Sequence, residues 1–133
     1  AYDAFVTEEG LFDLAGRVDG VSVGKARLVD AARSAVSGDA AGGGVAGAGA
    51  TAGAPLTGAD LVDAAHSAGL EIYTWTLRPE NRFLTPSFRR GRARAAFGDW
   101  FGEFAYVIGT GVDGIFVDHP DLGVEARAAF AET

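Results

Sequence analysis

Apolar residues recur along the chain at two different spacings, which predict two kinds of secondary structure. In four segments they fall three and four residues apart, a spacing that gathers them on one face of a helix. Between these segments stand short runs of β-branched, aliphatic and aromatic residues, which is the pattern of strands. The predicted helices cover residues 7–18, 57–69, 99–111 and 120–130, and the predicted strands cover residues 18–24, 70–76 and 112–117.

Residues that favour helix ends support these boundaries. Thr7, Thr57 and Asp99 stand where an N-cap is needed, and Gly69 and Gly111 stand where two helices should end. The predicted buried faces of the second and third helices consist of Leu61, Val62, Ala65 and Ala68 in one and of Phe101, Phe104, Ala105 and Ile108 in the other.

Helices that alternate with short apolar strands predict βα units and a parallel sheet, so the predicted fold class is α/β. Two of the predicted strands start with the same three residues, Val-Asp-Gly, at positions 18–20 and 112–114. Three strands are too few for a closed doubly wound domain or for an eight-stranded barrel. The strand count therefore predicts that the chain is one part of a larger domain.

Two segments interrupt the alternation of helices and strands. Residues 37–55 are dominated by Gly and Ala and contain Asp39 as their one charged residue, which predicts a flexible insert. Residues 85–98 form a predicted basic loop with the run Arg-Arg-Gly-Arg-Ala-Arg at positions 89–94. A solvated loop and a docking patch for anionic phospholipid head groups are both open for this run.

The composition narrows the classes of function. The chain has 133 residues and a formal net charge of −7, which disfavours nonspecific binding to nucleic acid. It contains no cysteine, which excludes disulfides and zinc–thiolate sites. No apolar run approaches the ~20 residues that span a bilayer. The chain begins with Ala1 and contains no methionine, so we expect an N-terminal part that is missing here.

The residues after the strands are the candidates for chemistry, because parallel α/β folds bind ligands beyond the carboxyl ends of their strands. Lys25 comes directly after the first predicted strand. Residues 75–81 include the end of the second strand and the residues after it, and residues 116–118 do the same for the third strand. Trp75 would supply an apolar wall at this edge, and Arg78 a bidentate donor for phosphate or carboxylate.

Two stretches carry a resemblance to a known family. "AGLEIYTWTLRPEN" at residues 68–81 and "GVDGIFVDHPD" at residues 111–121 resemble the C-terminal part of the glycerophosphodiester phosphodiesterases. The segment "VDGVSVGKARLV" at residues 18–29 is similar to the same family, although Val23 and Gly24 stand where it has Gly-Pro. The resemblance covers nearly the whole chain outside the Gly/Ala-rich insert.

The resemblance implies a TIM (β/α)8 barrel of the phospholipase-C-like phosphodiesterase type. Residues 1–133 would be its C-terminal part, with roughly the last three strands. It implies that the intact enzyme hydrolyses a glycerophosphodiester to an alcohol and glycerol 3-phosphate with a divalent metal, Ca²⁺ or Mg²⁺. His66 and His119 lack the neighbouring Arg or Asp of the family's histidines. The catalytic residues and metal ligands are therefore expected in the missing N-terminal half of the barrel, and none is assigned here.

The resemblance gives this chain the substrate side of the pocket. Trp75 and Phe116 would form its walls, and Arg78 would bind the phosphate or the glycerol hydroxyls. Glu80 would orient Arg78, and Lys25 would face the phosphodiester charge. The plainer alternatives are a core position for Trp75, a mutual or solvated pair of Arg78 and Glu80, and a solvated Lys25.

The sequence also leads to predictions for three further polar residues. Asp118 is predicted to cap the last helix, and His66 is predicted to lie on the surface. His119 stands close enough to the end of the third strand to be considered for the pocket.

Two rival functions stay open. One is a noncatalytic α/β module that holds a phosphorylated ligand, and the other is a phosphatidylinositol-type phosphodiesterase, whose chemistry passes through a cyclic phosphate.

The resemblance to the family also favours a secreted, periplasmic or cell-surface location over the cytoplasm. An open three-stranded piece exposes strand edges and one apolar face, so the isolated chain is expected to be marginally stable or to aggregate.

Overall fold

The computed structural model describes residues 2–29 and 55–131. The predicted Gly/Ala-rich insert lies outside the described residues, apart from Pro55. The elements follow the predicted order, with 3-10 helices at two additional places. They are a 3-10 helix (Tyr2–Val6), α1 (Glu8–Ala15), β1 (Gly20–Gly24), α2 (Gly58–Ser67), β2 (Glu71–Leu77), a 3-10 helix (Pro86–Phe88), α3 (Trp100–Gly109), β3 (Gly114–Val117) and α4 (Pro120–Ala131).

Helix ends confirm most of the capping predictions. The Thr7 hydroxyl accepts a hydrogen bond from Gly10 N at 2.9 Å. The Asp99 carboxylate accepts one from Gly102 N at 3.0 Å. The Thr57 prediction is wrong, since its side chain makes no capping hydrogen bond. Gly58 follows with φ of 59°, a left-handed conformation that gives the chain an unusual path into α2.

Glycine residues end two helices as predicted. Gly69 follows α2 with φ of 83°, and Gly111 follows α3 with φ of 96°. Residues with a Cβ rarely adopt this left-handed conformation, which reverses the chain direction after a helix. These two reversals carry the chain from α2 into β2 and from α3 into β3.

The three strands form one parallel sheet in the order β1-β2-β3, which confirms the predicted parallel α/β arrangement. Val21 pairs with Ile72 across the first strand pair, and Tyr73 pairs with Gly114 across the second. The register of the second pair shifts between Thr74 and Leu77. Because all strands run in the same direction, their carboxyl ends lie at one edge of the sheet.

Helices cover one face of the sheet and form the core with it. Ile72 and Leu77 of β2 are fully buried there, together with Leu61 of α2 and Phe104 of α3. On the opposite face, Ser22, Trp75 and Phe116 are exposed. The described residues thus form a helix-backed sheet with one open face, which is the α/β class predicted; the eight-stranded barrel is a property of the family and not of these residues.

The buried face of α3 differs from the predicted one. Phe104 is buried as expected, but Glu103 and Val107 are buried beside it, while Phe101 is 39% exposed. A carboxylate can occupy the buried face because a cation and two donors surround it, as the site geometry below shows. The apolar period alone placed this face one residue away from its true position.

The repeated Val-Asp-Gly motif lies where the chain enters a strand. Asp19 precedes β1 and accepts Glu71 N with its backbone oxygen at 3.0 Å. Asp113 precedes β3, and its carboxylate accepts Ile72 N at 2.8 Å and contacts His66 Nε2 at 2.9 Å. The backbone hydrogen bond from Ile72, followed by the bond from His66, lowers the pKa of Asp113 below its ordinary value of 3.8.

This lowered pKa predicts a pH-dependent contribution to stability. A group with a depressed folded pKa stabilises the protein fully above its ordinary value, and the contribution is lost as the pH falls through the folded pKa. Because the side chain is 37% exposed, we discount the effect and expect Asp113→Asn to lower the free energy of unfolding by about 1 kcal/mol. Urea unfolding of the natural full-length protein at neutral pH measures this difference.

The stability difference at acidic pH is the decisive test for Asp113. The difference between wild type and Asp113→Asn should shrink as the pH falls from about 5 to about 2. Asp63→Asn, at an exposed position of α2, is the matched control and should change stability by less than about 0.5 kcal/mol. A difference for Asp113→Asn that stays constant over this pH range would contradict the assignment.

The open face and the strand edges lead to a prediction about the isolated chain. Among the described residues, neither β1 nor β3 has a strand partner on its outer edge, and Trp75 and Phe116 are 52% and 56% exposed. Unpaired edges and exposed aromatic surface favour association. We therefore expect the isolated chain to aggregate or to melt without a cooperative transition; a sharp, reversible transition of a monomer in calorimetry would show the opposite.

In the described part of the chain, no helix has the length and apolar character needed to cross a membrane.

Candidate functional site

The carboxyl edge of the sheet gathers the residues that follow the three strands. Lys25 follows β1, Arg78 follows β2 and Asp118 follows β3. The parallel topology places them at the same edge, where ligands bind in parallel α/β folds. The sequence prediction of one common edge for these groups is confirmed by the strand directions.

Two predicted wall residues lie on the open face of the sheet. Tyr73, Trp75 and Phe116 project to this face, since a Cβ built on Gly114 would meet the Tyr73 ring at 2.5 Å and side chains alternate along a strand. Glycine at position 114 is therefore required for the Tyr73 ring to lie across β3. Trp75 does not belong to the core of the described residues, because its side chain is 52% exposed on the open face.

Trp75 also lines a cavity along the outer edge of β1. The cavity has a volume of about 620 Å³ and is lined by residues 21–24 of β1 together with Phe5, Leu11 and Arg27. Consecutive strand residues point to opposite faces, so a cavity that touches four of them in a row follows the edge of the strand. The free edge of β1 is thus an apolar concavity that begins at Trp75.

Arg78 is held by two contacts at the carboxyl edge. Its Nε lies 2.6 Å from the Asp118 carboxylate, and its guanidinium lies 4.6 Å from the centre of the Phe83 ring. Among the described residues, neither terminal nitrogen of Arg78 has a hydrogen-bond partner. The guanidinium is therefore oriented through Nε while its terminal nitrogens stay available to an anion.

Two predictions about this pair are wrong. Asp118 orients Arg78, and Glu80 does not. The Asp118 carboxylate also does not cap α4, because it accepts from Arg78 and from no described backbone N–H of that helix, whereas Leu122 N and Gly123 N donate to the His119 oxygen. The sequence suggested Glu80 because it is two residues from Arg78, whereas Asp118 is brought close only by the pairing of β2 with β3.

Glu80 lies next to His119 instead. Its Oε1 is 3.9 Å from His119 Nε2, and its other oxygen is buried without a hydrogen-bond partner in the described part of the chain. The Phe97 ring stands edge-on to the imidazole with centres 5.9 Å apart, and its backbone bridges to Glu80. The structure thus brings an acid and an imidazole together beside the Arg78–Asp118 pair.

Lys25 has an internal partner, which changes its assignment. Its Nζ lies 2.9 Å from the carboxylate of Glu103, which is fully buried, and 2.5 Å from the Phe83 oxygen. The other carboxylate oxygen of Glu103 accepts Thr85 N at 2.9 Å and the Thr85 hydroxyl at 2.8 Å. Lys25 anchors the loop after β2, so neither the solvated alternative nor a role in facing the phosphodiester fits its contacts.

At the other end of the open face, Tyr73 donates a hydrogen bond to Glu71. This bond, followed by desolvation, raises the pKa of Tyr73 above its ordinary value. The phenol therefore stays protonated at neutral pH and is no candidate for a general base. His66, predicted to lie on the surface, is 42% exposed but is bound to Asp113.

The described residues offer no cluster of metal ligands at this edge or elsewhere. Within residues 2–29 and 55–131, no three His, Asp or Glu side chains lie together in a way that could hold a metal ion. The described residues therefore do not fit a metal centre. We derive no step of a reaction through a metal.

Comparison with protein families decides the relationship of the chain. Residues 14–122 match the model of the glycerophosphoryl diester phosphodiesterase family. The chain belongs to this family. A search of curated proteins found no match. The suspected family is thus confirmed, and the match runs from α1 into α4 and includes all three strands.

For this member of the glycerophosphoryl diester phosphodiesterase family, the match supports phosphodiesterase chemistry of the glycerophosphodiester type at the level of the family. It also implies a small-molecule substrate and a barrel-type fold. Enzymes of the family commonly depend on a metal. Contact of Trp75, Arg78, Glu80 and Phe116 with substrate is not tested by the match and stays a prediction.

Sequence reasoning missed two buried polar residues near the site. Glu103 is the one charged residue within α3, and a single carboxylate in an apolar helix was an available signal. Asn81 is 3% exposed and makes three side-chain hydrogen bonds to the backbone of Arg90 and Ala93. No local pattern indicated the role of Asn81, because its partners follow about a dozen residues later in a loop without periodicity.

Proposed function

We propose that this chain forms the substrate-side wall of a phosphodiesterase that cleaves glycerophosphodiesters to an alcohol and glycerol 3-phosphate. The observation that carries the proposal is the setting of Arg78. Its Nε is bound to Asp118 and its guanidinium lies over the Phe83 ring, and its terminal nitrogens are available at the edge where parallel α/β folds bind ligands. A planar donor with two parallel N–H groups suits two oxygens of a phosphate.

Arg78 would bind the phosphodiester and neutralise charge on its oxygens. Hydrolysis adds the oxygen of water to phosphorus and breaks the bond from phosphorus to the alcohol oxygen, which leaves with a proton. Negative charge on the other phosphate oxygens must be held throughout this step. A guanidinium already oriented by Asp118 holds that charge without first having to be ordered.

Trp75 and Phe116 would form the apolar walls of the same pocket. Both project to the open face and both are about half exposed. Aromatic rings beside the phosphate site would contact the carbon atoms of the glycerol and exclude water from the pocket. Glu80, with its buried oxygen facing no donor, would receive a hydrogen bond from the substrate or from the rest of the domain.

The rest of the domain would supply what these residues lack. We place the metal ligands and the acid–base histidines in an N-terminal part of the barrel that packs on the open face. The outer edge of β1, with its apolar cavity beginning at Trp75, would receive the adjoining strand. A location outside the cytoplasm stays a prediction.

A noncatalytic phosphate-binding module is the second candidate. The observation that favours it is Arg78, whose terminal nitrogens have no hydrogen-bond partner among the described residues and can hold a phosphodiester without a metal ion. Such a module would use the same Arg78 and the same aromatic walls, and it would bind a phosphodiester without cleaving it.

Turnover by the natural full-length protein separates these functions. We expect it to convert glycerophosphocholine to choline and glycerol 3-phosphate when Ca²⁺ is added. Binding without turnover would favour the noncatalytic module, and a cyclic phosphate product would favour the phosphatidylinositol-type enzyme. An upstream reading frame that lacks the family's His-Arg and Glu-x-Asp motifs would also count against the proposal.

A further inference from the structure

A second positively charged site lies in the loop that follows β2. Five arginines stand between positions 82 and 94, and positions 81–98 contain no Asp or Glu. The whole chain has eleven Lys and Arg residues and a net charge of −7, so nearly half of its cations are concentrated in this one loop. Residues 82–94, the arginine loop, are therefore positively charged although the protein as a whole is negatively charged.

The arginine loop is a built structure. The Asn81 side chain donates to the oxygens of Arg90 at 2.7 Å and Ala93 at 2.9 Å, and it accepts Arg90 N at 2.9 Å. The backbone of Arg82 donates to the Arg94 oxygen at 3.0 Å. A buried amide with three bonds holds the far end of the loop against its start, so the arginine side chains leave from a fixed backbone.

These side chains surround a cavity of about 280 Å³. It is lined by Asn81, Arg82, Arg89, Gly91, Arg92 and Arg94. Arg90 is the loop arginine outside the lining, and its charge is balanced by Asp99 at 3.3 Å. No carboxylate lines the cavity, so four arginines line it without a counter-charge among the lining residues.

The available donors of these arginines face no described partner. Arg89 uses its Nε to bind the oxygens of Asn81 and Leu84, both at 3.1 Å, and its terminal nitrogens make no hydrogen bond to a described residue. Arg92 and Arg94 have no ion-pair or hydrogen-bond partner for their side chains in residues 2–29 and 55–131. All four arginines are exposed, so solvent screens their mutual repulsion, and the donors that they do not use are accessible to an anion.

We propose that this cavity binds the phosphate group of a small, free anion, either inorganic phosphate or a phosphomonoester. Guanidinium groups match phosphate oxygens with paired N–H donors. The volume holds one phosphate with a small organic substituent and not a polymer. A long polyanion would also meet the negative charge of the rest of the protein, whereas a small anion within about 8 Å of the arginines feels mainly their field.

The cavity is separate from the proposed phosphodiester pocket, although the two are neighbours. Arg82 lies 4.8 Å from the centre of the Phe83 ring and Arg78 lies 4.6 Å from the same centre. None of Trp75, Arg78 and Phe116 lines the arginine cavity. The inference therefore does not rest on the proposed function, and the two can fail independently.

Titration of the natural full-length protein with inorganic phosphate tests the site by calorimetry. We expect saturable binding that is weakened at least about tenfold in Arg92→Gln/Arg94→Gln, since each variant side chain loses a charge-assisted donor pair. The control Arg17→Gln/Arg127→Gln removes the same net charge from exposed positions elsewhere and should change the affinity by no more than about twofold. The titrations are done in the Arg78→Ala background, so that phosphate bound at the proposed phosphodiester pocket does not contribute to the measured affinity.

Stability and membrane measurements complete the test. Both double variants should keep the urea midpoint of the wild type, because Arg92 and Arg94 have no described side-chain partner; Arg92→Gln alone serves if the double variant does not fold. Absence of saturable phosphate binding, or equal weakening in both double variants, would overturn the site. Sedimentation with phosphatidic acid vesicles that depends on Arg92 and Arg94 in the presence of saturating phosphate would overturn the assignment to a free anion.

Discussion

Replacing Glu103 with glutamine is expected to lower the free energy of unfolding by roughly 3–5 kcal/mol, the usual loss when one partner of a buried ion pair is removed. Glu103 is fully buried, and the side chain of Lys25 beside it is only 13% exposed. Glutamine can still accept from Thr85, but its amide nitrogen would face the Lys25 ammonium. The buried cation would then lack a counter-charge, and urea unfolding of the natural full-length protein at neutral pH measures the cost.

A second substitution separates the charge from the shape of this site. Lys25→Met in the Glu103→Gln background removes the unpaired cation and keeps an aliphatic side chain, so we expect at least half of the lost stability to return. Glu125→Gln, the same chemical change at an exposed position of α4, should cost less than about 0.5 kcal/mol. If Glu103→Gln costs no more than this control, the buried pair does not anchor the loop after β2.

Substitution of Arg78 is expected to have the largest effect on catalysis. In the natural full-length protein, Arg78→Ala should lower kcat/KM for glycerophosphocholine about a hundredfold, the range found when one preorganised donor to a developing charge is removed. Arg78→Lys should recover only part of this loss, because an ammonium lacks the planar pair of donors and cannot use Nε for Asp118. Initial rates of glycerol 3-phosphate release give the measurement.

The control for Arg78 lies at the opposite edge of the sheet. Arg17 precedes β1 and is exposed, so Arg17→Ala removes the same charge far from the carboxyl edge and should change kcat/KM by no more than about twofold. Asp118→Ala should act in the same direction as Arg78→Ala but more weakly, since it releases the orientation of the guanidinium and keeps its charge. Equal activity of Arg78→Ala and Arg17→Ala would exclude the phosphate-binding role.

The features predicted correctly are those that depend on residues close together in the sequence. The spacing of apolar residues predicted three strands and four helices in the correct order. It could do so because the buried face of a helix or strand consists of residues only a few positions apart in the sequence. Caps at Thr7 and Asp99 and the reversals at Gly69 and Gly111 are equally local. The family resemblance, which also depends on short motifs, was confirmed by the match over residues 14–122.

Apart from the Thr57 cap and the buried face of α3, the errors concern polar contacts between distant segments. Arg78 and Asp118 are 40 residues apart, and Lys25 and Glu103 are 78 apart. Their proximity depends on the register of β2 against its neighbours, which includes a shift between Thr74 and Leu77. No local pattern encodes this register, so reasoning from the sequence paired Arg78 with the nearest acid, Glu80.

The amino-acid sequence therefore specifies the elements, the parallel sheet and the edge at which chemistry can occur, since these follow from short-range periodicity and strand direction. Tertiary packing specifies which charge faces which partner: it turns Lys25 and Glu103 into an internal anchor, leaves Arg78 open to an anion, and folds an arginine loop around a cavity. The physical reason is that hydrophobic burial is encoded residue by residue, whereas a charge acts on whatever group the folded chain brings within a few ångströms.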